Sequence, residues 1–526
     1  MPEVLPSIFE RLKKNDASFY CLFAVLILSA AGGFVFSATV QSAIFVILLF
    51  FFCFIFIKKS FSDNGIYLAL LPLLAVFFSY LGADFQVNAR NASFGLINAF
   101  LVFFIMLHGG KKSKENTLMT LLFLGLWVSF FIFMQRFSGN PDIERSMSLN
   151  INIIAGFLLI VYPLAFGFVE KNKNPEAFLL LAFIIFAAVI FTKSRTAIVL
   201  IYAINIFYFI KLKDRRYVGI FFTVVSVIVF AGLIYAFFLK SEWKSFSERL
   251  IWWNAAWLMF KDYPVFGVGF GNYGALFSYY RPEPVLNTLF AHNVFLQLLA
   301  ETGIFGIICF FTSFYVILKK ILSSFKSKNA DAAYMRSAAV SVIFFIAFNI
   351  VDYGFYLPAC MIAFFVLCAF LCGSGESFQR KNHFALIIIV PALIAAYIAV
   401  RPAVAERYYE KGKMYASKKD YNEAKKRYLK ALKYDGKNPE YFHQAADSSF
   451  KLYALGSRTE ISYLDEAVEF ELMAEKLFVH SAQIKAGLAN LYNLKGDNEN
   501  AAKYAAAARE ADKFNHHYGI AKDTMP

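Results

Sequence analysis

The sequence predicts an all-α protein, a polytopic helical membrane domain followed by a charged helical tail. Three observations carry this. First, the chain of 526 residues is 59% hydrophobic and 19% aromatic, with 64 Phe, and only 17% charged. An average soluble domain carries about 25% charged residues. Second, residues 19–400 are dominated by apolar runs of the length that crosses a bilayer as helix, about 20 residues. Third, from Arg401 onward the chain becomes charged and rich in Ala, Lys and Tyr. This composition excludes a disordered chain and argues against an ordinary soluble enzyme. It divides the protein into a membrane domain, 1–400, and a tail, 401–526.

The apolar runs predict about thirteen spans, near 19–37, 40–57, 64–82, 91–108, 117–134, 151–169, 176–192, 196–211, 217–239, 303–319, 337–352, 355–372 and 384–400. The first has small residues at Ser29, Ala30 and Ala31, as a signal peptide would, but a second run follows at once, so it is read as a retained helix. The net charge is 52 − 37 = +15. Numbering the connections alternately from a cytoplasmic N-terminus puts 21 basic residues inside, from Arg11 to Lys381, and 10 outside. This bias follows the positive-inside rule. An odd span count then places the tail outside the cytoplasm. The positive charge is a topology signal, and no nucleic-acid partner is expected. The six cysteines, Cys21, Cys53, Cys309, Cys360, Cys368 and Cys372, lie in apolar runs without metal-ligand spacing and read as small buried hydrophobes.

Within the membrane domain, the longest outside connection, about 240–302, holds most of the chemistry-bearing residues. In Ser247-Glu-Arg249-Leu-Ile-Trp252-Trp253-Asn-Ala-Ala-Trp257-Leu-Met-Phe260, Ser247 is placed as a helix cap, the aromatics at the bilayer interface, and Pro264 as the stop. Arg249 then stands near headgroup depth. Gly267-Val-Gly269-Phe-Gly271-Asn272 is read as a turn, with a backbone anion nest as the alternative. From Ala291 to Lys320 a continuous helix would reach about 45 Å, too long for a hydrocarbon core of about 30 Å, so a break is expected near Glu301–Gly303. That puts His292 and Asn293 on a short helix at the outer mouth. On the same side lie Arg195, in Thr192-Lys-Ser194-Arg195, Asp352 at the end of one span, and Asn152 at the start of another. Arginine forks suit phosphate oxygens, and a neutral His suits proton abstraction near pH 7. Together they point to chemistry on a phosphate-bearing lipid. No metal-ligand cluster is present, and no cofactor is expected.

In the tail, Tyr415-Ala-Ser-Lys-Lys-Asp420-Tyr-Asn-Glu-Ala424 aligns with Tyr492-Asn-Leu-Lys-Gly-Asp497-Asn-Glu-Asn-Ala501 at a separation of 77 residues, with Ala431 and Ala508 in register and a less regular unit around Leu464-Asp-Glu-Ala467 between them. This resembles the tetratricopeptide repeat, a helical solenoid, although Gly436 stands where that repeat usually has Pro. Such a domain implies a protein partner.

Residues 20–372 resemble the O-antigen ligase and polymerase superfamily. The resemblance rests on Arg249-x₃-Trp253, Asp262-Tyr-Pro264-x₂-Gly267-Val-Gly269-x-Gly271, and His292-Asn293-x-Phe295-Leu296-Gln297-x₃-Glu301-x-Gly303-x₂-Gly306. Thr192-x-Ser194-Arg195 and Asn152-x₂-Ala155 fit its upstream pattern, and Thr196 departs from it where many members have Gly. The resemblance implies a GT-C-type architecture and a metal-independent, inverting glycosyltransferase of the bacterial cytoplasmic membrane. Its donor would be a glycan on undecaprenyl diphosphate. Arg195 and Arg249, with Arg281 in support, would hold the diphosphate. His292 would take the acceptor proton, and Asn293, Glu301, Asp352 and Asn152 would orient the site. The acceptor would be lipid A core in a ligase, a lipid-linked glycan in a polymerase, or protein in an O-oligosaccharyltransferase. The ligase is preferred because the match centres on the His–Asn segment. A non-catalytic membrane-anchored scaffold or a lipid-glycan carrier is the rival of a different class.

Overall fold

The computed structural model describes residues 17–31, 37–58, 66–138, 151–172, 174–212, parts of 220–232, 244–329, 331–373, 389–456 and 460–515. The described secondary structure is helical throughout. The membrane domain contributes α1 (Ala17–Ala31), α2 (Ala38–Lys58), α3 (Ile66–Leu81), α4 (Gln86–His108), α5 (Lys111–Phe137), α6 (Ile151–Lys171), α7 (Glu176–Thr192) and α8 (Arg195–Leu212). It continues with α9 (Lys244–Asp262), α10 (Tyr273–Tyr280), α11 (Val294–Lys326), α12 (Ala332–Phe348), a 3₁₀ turn (Gly354–Tyr356) and α13 (Pro358–Cys372). Six helices among the described residues are long and apolar enough to cross a membrane, and five further apolar helices of 10–17 residues accompany them. Six full-length spans are fewer than the thirteen the sequence predicts. Part of the difference is the expected span 217–239, most of which lies outside the described residues.

α6 and α13 form the centre of the bundle. From Ala155 to Ala165 the apolar side chains of α6 are essentially inaccessible, and α13 is buried from Pro358 to Leu371. A helix that is apolar all round has to be surrounded, and α6 is packed by α5, α7, α8, α12 and α13. Small residues let it come close. A Cβ on Gly156 would meet the Phe348 ring at 2.7 Å, which is how small residues bring membrane helices together.

The connections gather at two opposite ends. At one end Lys111 pairs with Asp331 at 2.8 Å, Lys171 with Glu115 and Asp331 at 3.2 Å each, and Arg336 with Glu170. At the other end the turn after α3 carries Asp84, which accepts from the Tyr263 hydroxyl at 3.0 Å, and the long connection through α9 and α10 packs there.

The tail begins inside α14 (Ile389–Ser417), which passes position 400 without a break although it contains Pro402. It continues as α15 (Tyr421–Tyr434), α16 (Pro439–Leu455), α17 (Ile461–Leu477), α18 (Ala482–Leu494) and α19 (Asn498–Ala511). These helices pack as three consecutive pairs, α14 with α15, α16 with α17 and α18 with α19. The two aligned stretches fold alike. Lys419 (φ 62) and Gly496 (φ 77) make the left-handed turn, and the amides of Asp420 and Asp497 reach the carbonyls of Tyr415 and Tyr492, both at 3.0 Å. Asp420 and Asp497 then cap the next helix. Alanines 405, 424, 431, 445, 467, 501 and 508 are buried where the helices cross. The tail lies against the bundle end that holds Asp84.

Candidate active site

α11 starts from Asn293, whose side chain accepts the amides of Phe295 and Leu296, both at 3.0 Å. The expected break falls at Gly303, which has φ 63 inside α11. Backbone groups freed by the kink are met by the preceding connection. Ile304 donates to the Pro264 carbonyl at 2.9 Å and Phe305 to that of Val265 at 3.2 Å, while Val268 and Gly269 donate to the carbonyls of Ala300 and Glu301 at 3.0 and 3.1 Å. Gly267, Gly269 and Gly271 all have positive φ, and a Cβ on Gly267 would overlap the Glu301 backbone. The Val268 and Gly269 amides of this segment are thus occupied by α11. It is a turn laced to the kink, not an anion nest.

Glu301 serves the same junction. It is fully buried, with one carboxylate oxygen accepting from the Tyr273 amide (3.2 Å) and Gln297 (3.1 Å) and the other from the Tyr356 hydroxyl (2.8 Å). Every one of these bonds joins elements of the protein to each other.

His292 stands immediately before the cap, with φ 52. A non-glycine residue in this conformation costs about 1–3 kcal/mol and persists where its surroundings over-determine it. Here the Ala291 amide donates to the Gln297 side chain at 3.0 Å and the Val294 amide to the Asn349 carbonyl at 2.9 Å. The imidazole stacks on Trp252, ring centres 4.5 Å apart, and meets Tyr353 edge-on at 4.6 Å. The Trp252 ring covers His292, whereas Trp257 on the same helix is exposed. The expected cap at Ser247 is corrected, since α9 begins at Lys244 and Ser247 lies within its first turn.

The Nδ1 atom of His292 is 3.6 Å from Asp352 Oδ1, beyond hydrogen-bonding distance. The Asp352 carboxylate is held by the Tyr353 amide at 3.0 Å. Burial first, and the charge of Arg249 second, lower the His292 pKa to about 3, so the ring is neutral near pH 7 and the contact is not an ion pair. Burial pushes Asp352 up to about 6, against the opposing pull of the Tyr353 amide and Arg249. Three polar atoms here are buried without a hydrogen-bond partner among the described residues: His292 Nδ1, Trp252 Nε1 and Arg249 Nε. Buried polar groups are rarely left unsatisfied, so three such atoms side by side call for an explanation.

The remaining expected residues are more dispersed. Arg195 opens α8 after the left-handed Lys193 and is exposed, and no contact joins it to His292 among the described residues. α8 packs against α6 and α12, the helix that leads to Asp352. Asn152 lies half-buried in the first turn of α6. Arg281 is engaged within the protein: it forms an ion pair with Asp512 of the tail, donates to the Val285 carbonyl at 2.5 Å and approaches the Phe514 ring. Asn349, Tyr353 and Tyr356 build the site and were not singled out from the sequence. The only signal was their position beside Asp352 at the end of a span.

Residues 180–311 match the family model described as O-antigen ligase. The matched segment starts in α7, contains Arg195, Arg249, Arg281, His292, Asn293 and Glu301, and ends in α11 beyond the kink. Asn152 and Asp352 fall outside it. No curated protein matches the chain. The O-antigen ligase match supports glycan transfer as the general class of activity, in a multi-pass membrane protein.

Proposed function

We propose that the protein transfers a glycan from an undecaprenyl-diphosphate-linked donor to an acceptor hydroxyl at the outer face of the bacterial cytoplasmic membrane, as an O-antigen ligase does. The observation that carries this reading is the neutral, strained His292 beside Arg249 and Asp352, with unsatisfied polar atoms on His292, Arg249 and Trp252. In this reading the acceptor hydroxyl gives its proton to His292 Nε2 as its oxygen bonds to the anomeric carbon. The bond from that carbon to the diphosphate breaks, and the electron pair leaves on the phosphate oxygen. Inversion follows from attack opposite the leaving group. Asp352, facing Nδ1, supports the imidazolium that forms. Arg249 and Arg195 neutralise the departing diphosphate, which makes a metal unnecessary. Arg249 also couples binding to basicity. Its charge holds the His292 pKa down, and a bound diphosphate cancels that charge.

Membrane lipids and a protein partner on the tetratricopeptide-like tail complete the proposal, with about thirteen spans and the tail on the periplasmic side. The tail's contact with the site loop through Arg281 favours a second reading, in which the acceptor is a protein or another lipid-linked glycan. A bare scaffold or carrier has no use for the cluster of unsatisfied atoms.

The test is transfer in vitro from a lipid-linked glycan with lipid, glycan and protein acceptors offered in parallel. His292→Ala and Arg195→Ala should each abolish transfer in a folded protein, and activity retained by the His variant would sink the base assignment. Transfer should survive EDTA; strict dependence on a divalent ion would contradict the arginine-based mechanism.

A further inference from the structure

The tail repeats one turn three times. At the C-terminal ends of α15, α17 and α19 the cap residues are Asp435, Phe478 and Asp512, with φ/ψ of −136/74, −147/84 and −146/85. In each, the cap amide reaches back four residues to an alanine carbonyl, of Ala431, Ala474 or Ala508. Also in each, the amide three residues on, of Asn438, Ser481 or Asn515, points to the cap residue's own carbonyl. Each of the three caps grips the membrane domain. Asp435 takes Arg90 in a two-pronged pair at 2.7 and 2.8 Å, Phe478 stacks on Phe85 at 4.5 Å, and Asp512 holds Arg281. Asp435 and Asp512 are 77 residues apart, the same offset that aligns the two halves of the tail. Their side chains are 5% and 2% exposed, so each carboxylate depends on its arginine.

The third clasp differs from the first in what it holds. Arg90 belongs to α4, whereas Arg281 begins the stretch that leads eleven residues later to His292. That stretch contains no helix or strand. Gly274 lets its backbone lie directly on α10, since a Cβ there would meet the Leu289 Cα at 2.6 Å. Phe290 stacks on Tyr353 at 4.3 Å and fixes the end near His292. Arg281 fixes the other end, with one nitrogen on the Val285 carbonyl and one on Asp512.

We infer that Asp512, acting through Arg281, is a positioning residue for the segment that presents His292, so that the tail is a working part of the site and not an appendage. The catalytic part of this inference rests on the reading under Proposed function; the structural part does not.

The test uses the full-length protein in detergent, with two readouts. Leu286 and Leu289 are 83% and 69% exposed, so chymotrypsin cleavage in 282–290 reports how tightly the segment is held. In Asp512→Asn this cleavage should accelerate about tenfold, the effect of easier local opening. kcat for transfer should fall about tenfold or more with little change in KM for the acceptor, because small misplacement of a reacting group is costly. Arg281→Lys keeps a charge opposite Asp512 but cannot also hold Val285. It should show the same faster cleavage with the tail still docked, and it covers the case in which the Asp512 variant does not fold. Combining Arg281→Asp with Asp512→Arg should restore slow cleavage relative to either alone. Unchanged cleavage and kcat in Asp512→Asn and Arg281→Lys, or a double reversal no better than its single parents, overturns the inference. A wild-type protein that transfers no glycan removes the proposed function instead, and the cleavage readout still decides the clasp.

Discussion

Among the described residues, two histidine–carboxylate pairs have both side chains well buried, and they are built in opposite ways. In the tail, His443 Nδ1 lies 2.8 and 3.0 Å from the two oxygens of Glu471, and its other ring nitrogen is 3.0 Å from the Gln483 amide. Both ring nitrogens have partners. Burial is the largest influence on the His443 pKa and lowers it, but the Glu471 hydrogen bond and the charges of Glu471, Glu440 and Asp447 together outweigh it and the net shift is upward. In the membrane domain, His292 is 3.6 Å from Asp352, has no partner at Nδ1 among the described residues, adopts a left-handed backbone and is pushed down by burial and Arg249. The first pair ties α16 to α17 and α18. The second has unused hydrogen-bonding capacity, backbone strain and a neighbouring cation. Burial of a histidine beside a carboxylate does not by itself distinguish structure from function. Here the two differ in that, among the described residues, His292 keeps an unpartnered ring nitrogen and a left-handed backbone, whereas both ring nitrogens of His443 are engaged.

Substitutions should separate the pairs, beginning with the largest effect. His292→Ala should lower transfer by about 10²–10⁴-fold, the range of a lost general base, with little loss of thermal stability. Arg249→Ala should cost about 10²–10³-fold, as removal of a preorganised charge-stabilising donor does, measured as kcat with saturating donor. The comparison also predicts a pH signature. With its pKa near 3, free His292 is neutral across the working range, whereas Asp352 becomes protonated as pH falls through about 6. Activity should therefore drop on the acid side near pH 6, and Asp352→Asn should abolish that limb; a limb that persists in the variant assigns it to another group. The smallest effect on transfer belongs to the tail pair. His443→Ala leaves Glu471 buried without its partner and should destabilise the tail by about 1–3 kcal/mol, seen as a lower melting temperature, while kcat below that temperature stays within about twofold. A His443 variant that loses transfer before it loses stability would erase the distinction.

The sequence made some of this readable and hid the rest for definite reasons. Helix length against bilayer thickness located the Gly303 kink, and the repeat offset aligned Asp420 with Asp497, whose shared capping role only the structure shows. The Gly267–Gly271 segment was readable as a turn, although nothing local said that α11 would occupy its amides. Trp252 was readable as part of the amphipathic α9, but nothing local said that its ring would cover His292. Tyr353 and Asn349 carried no signal beyond their position beside Asp352, as their roles come from a connection folded back onto α11. Arg281 looked like a free cation because its partner, Asp512, is 231 residues away in sequence. Outward arginines counted from sequence therefore include some already claimed by the protein.

The unbroken course of α14 has a mechanical consequence. With no joint between the last apolar turns and the first tail helix, the tail's angular setting is inherited from the membrane domain, like a key cut on its own shaft. Each residue added to a helix rotates everything beyond it by about 100°. A single alanine inserted near Ala403 would swing the turns at Asp435, Phe478 and Asp512 away from Arg90, Phe85 and Arg281 together, without altering any residue in those contacts.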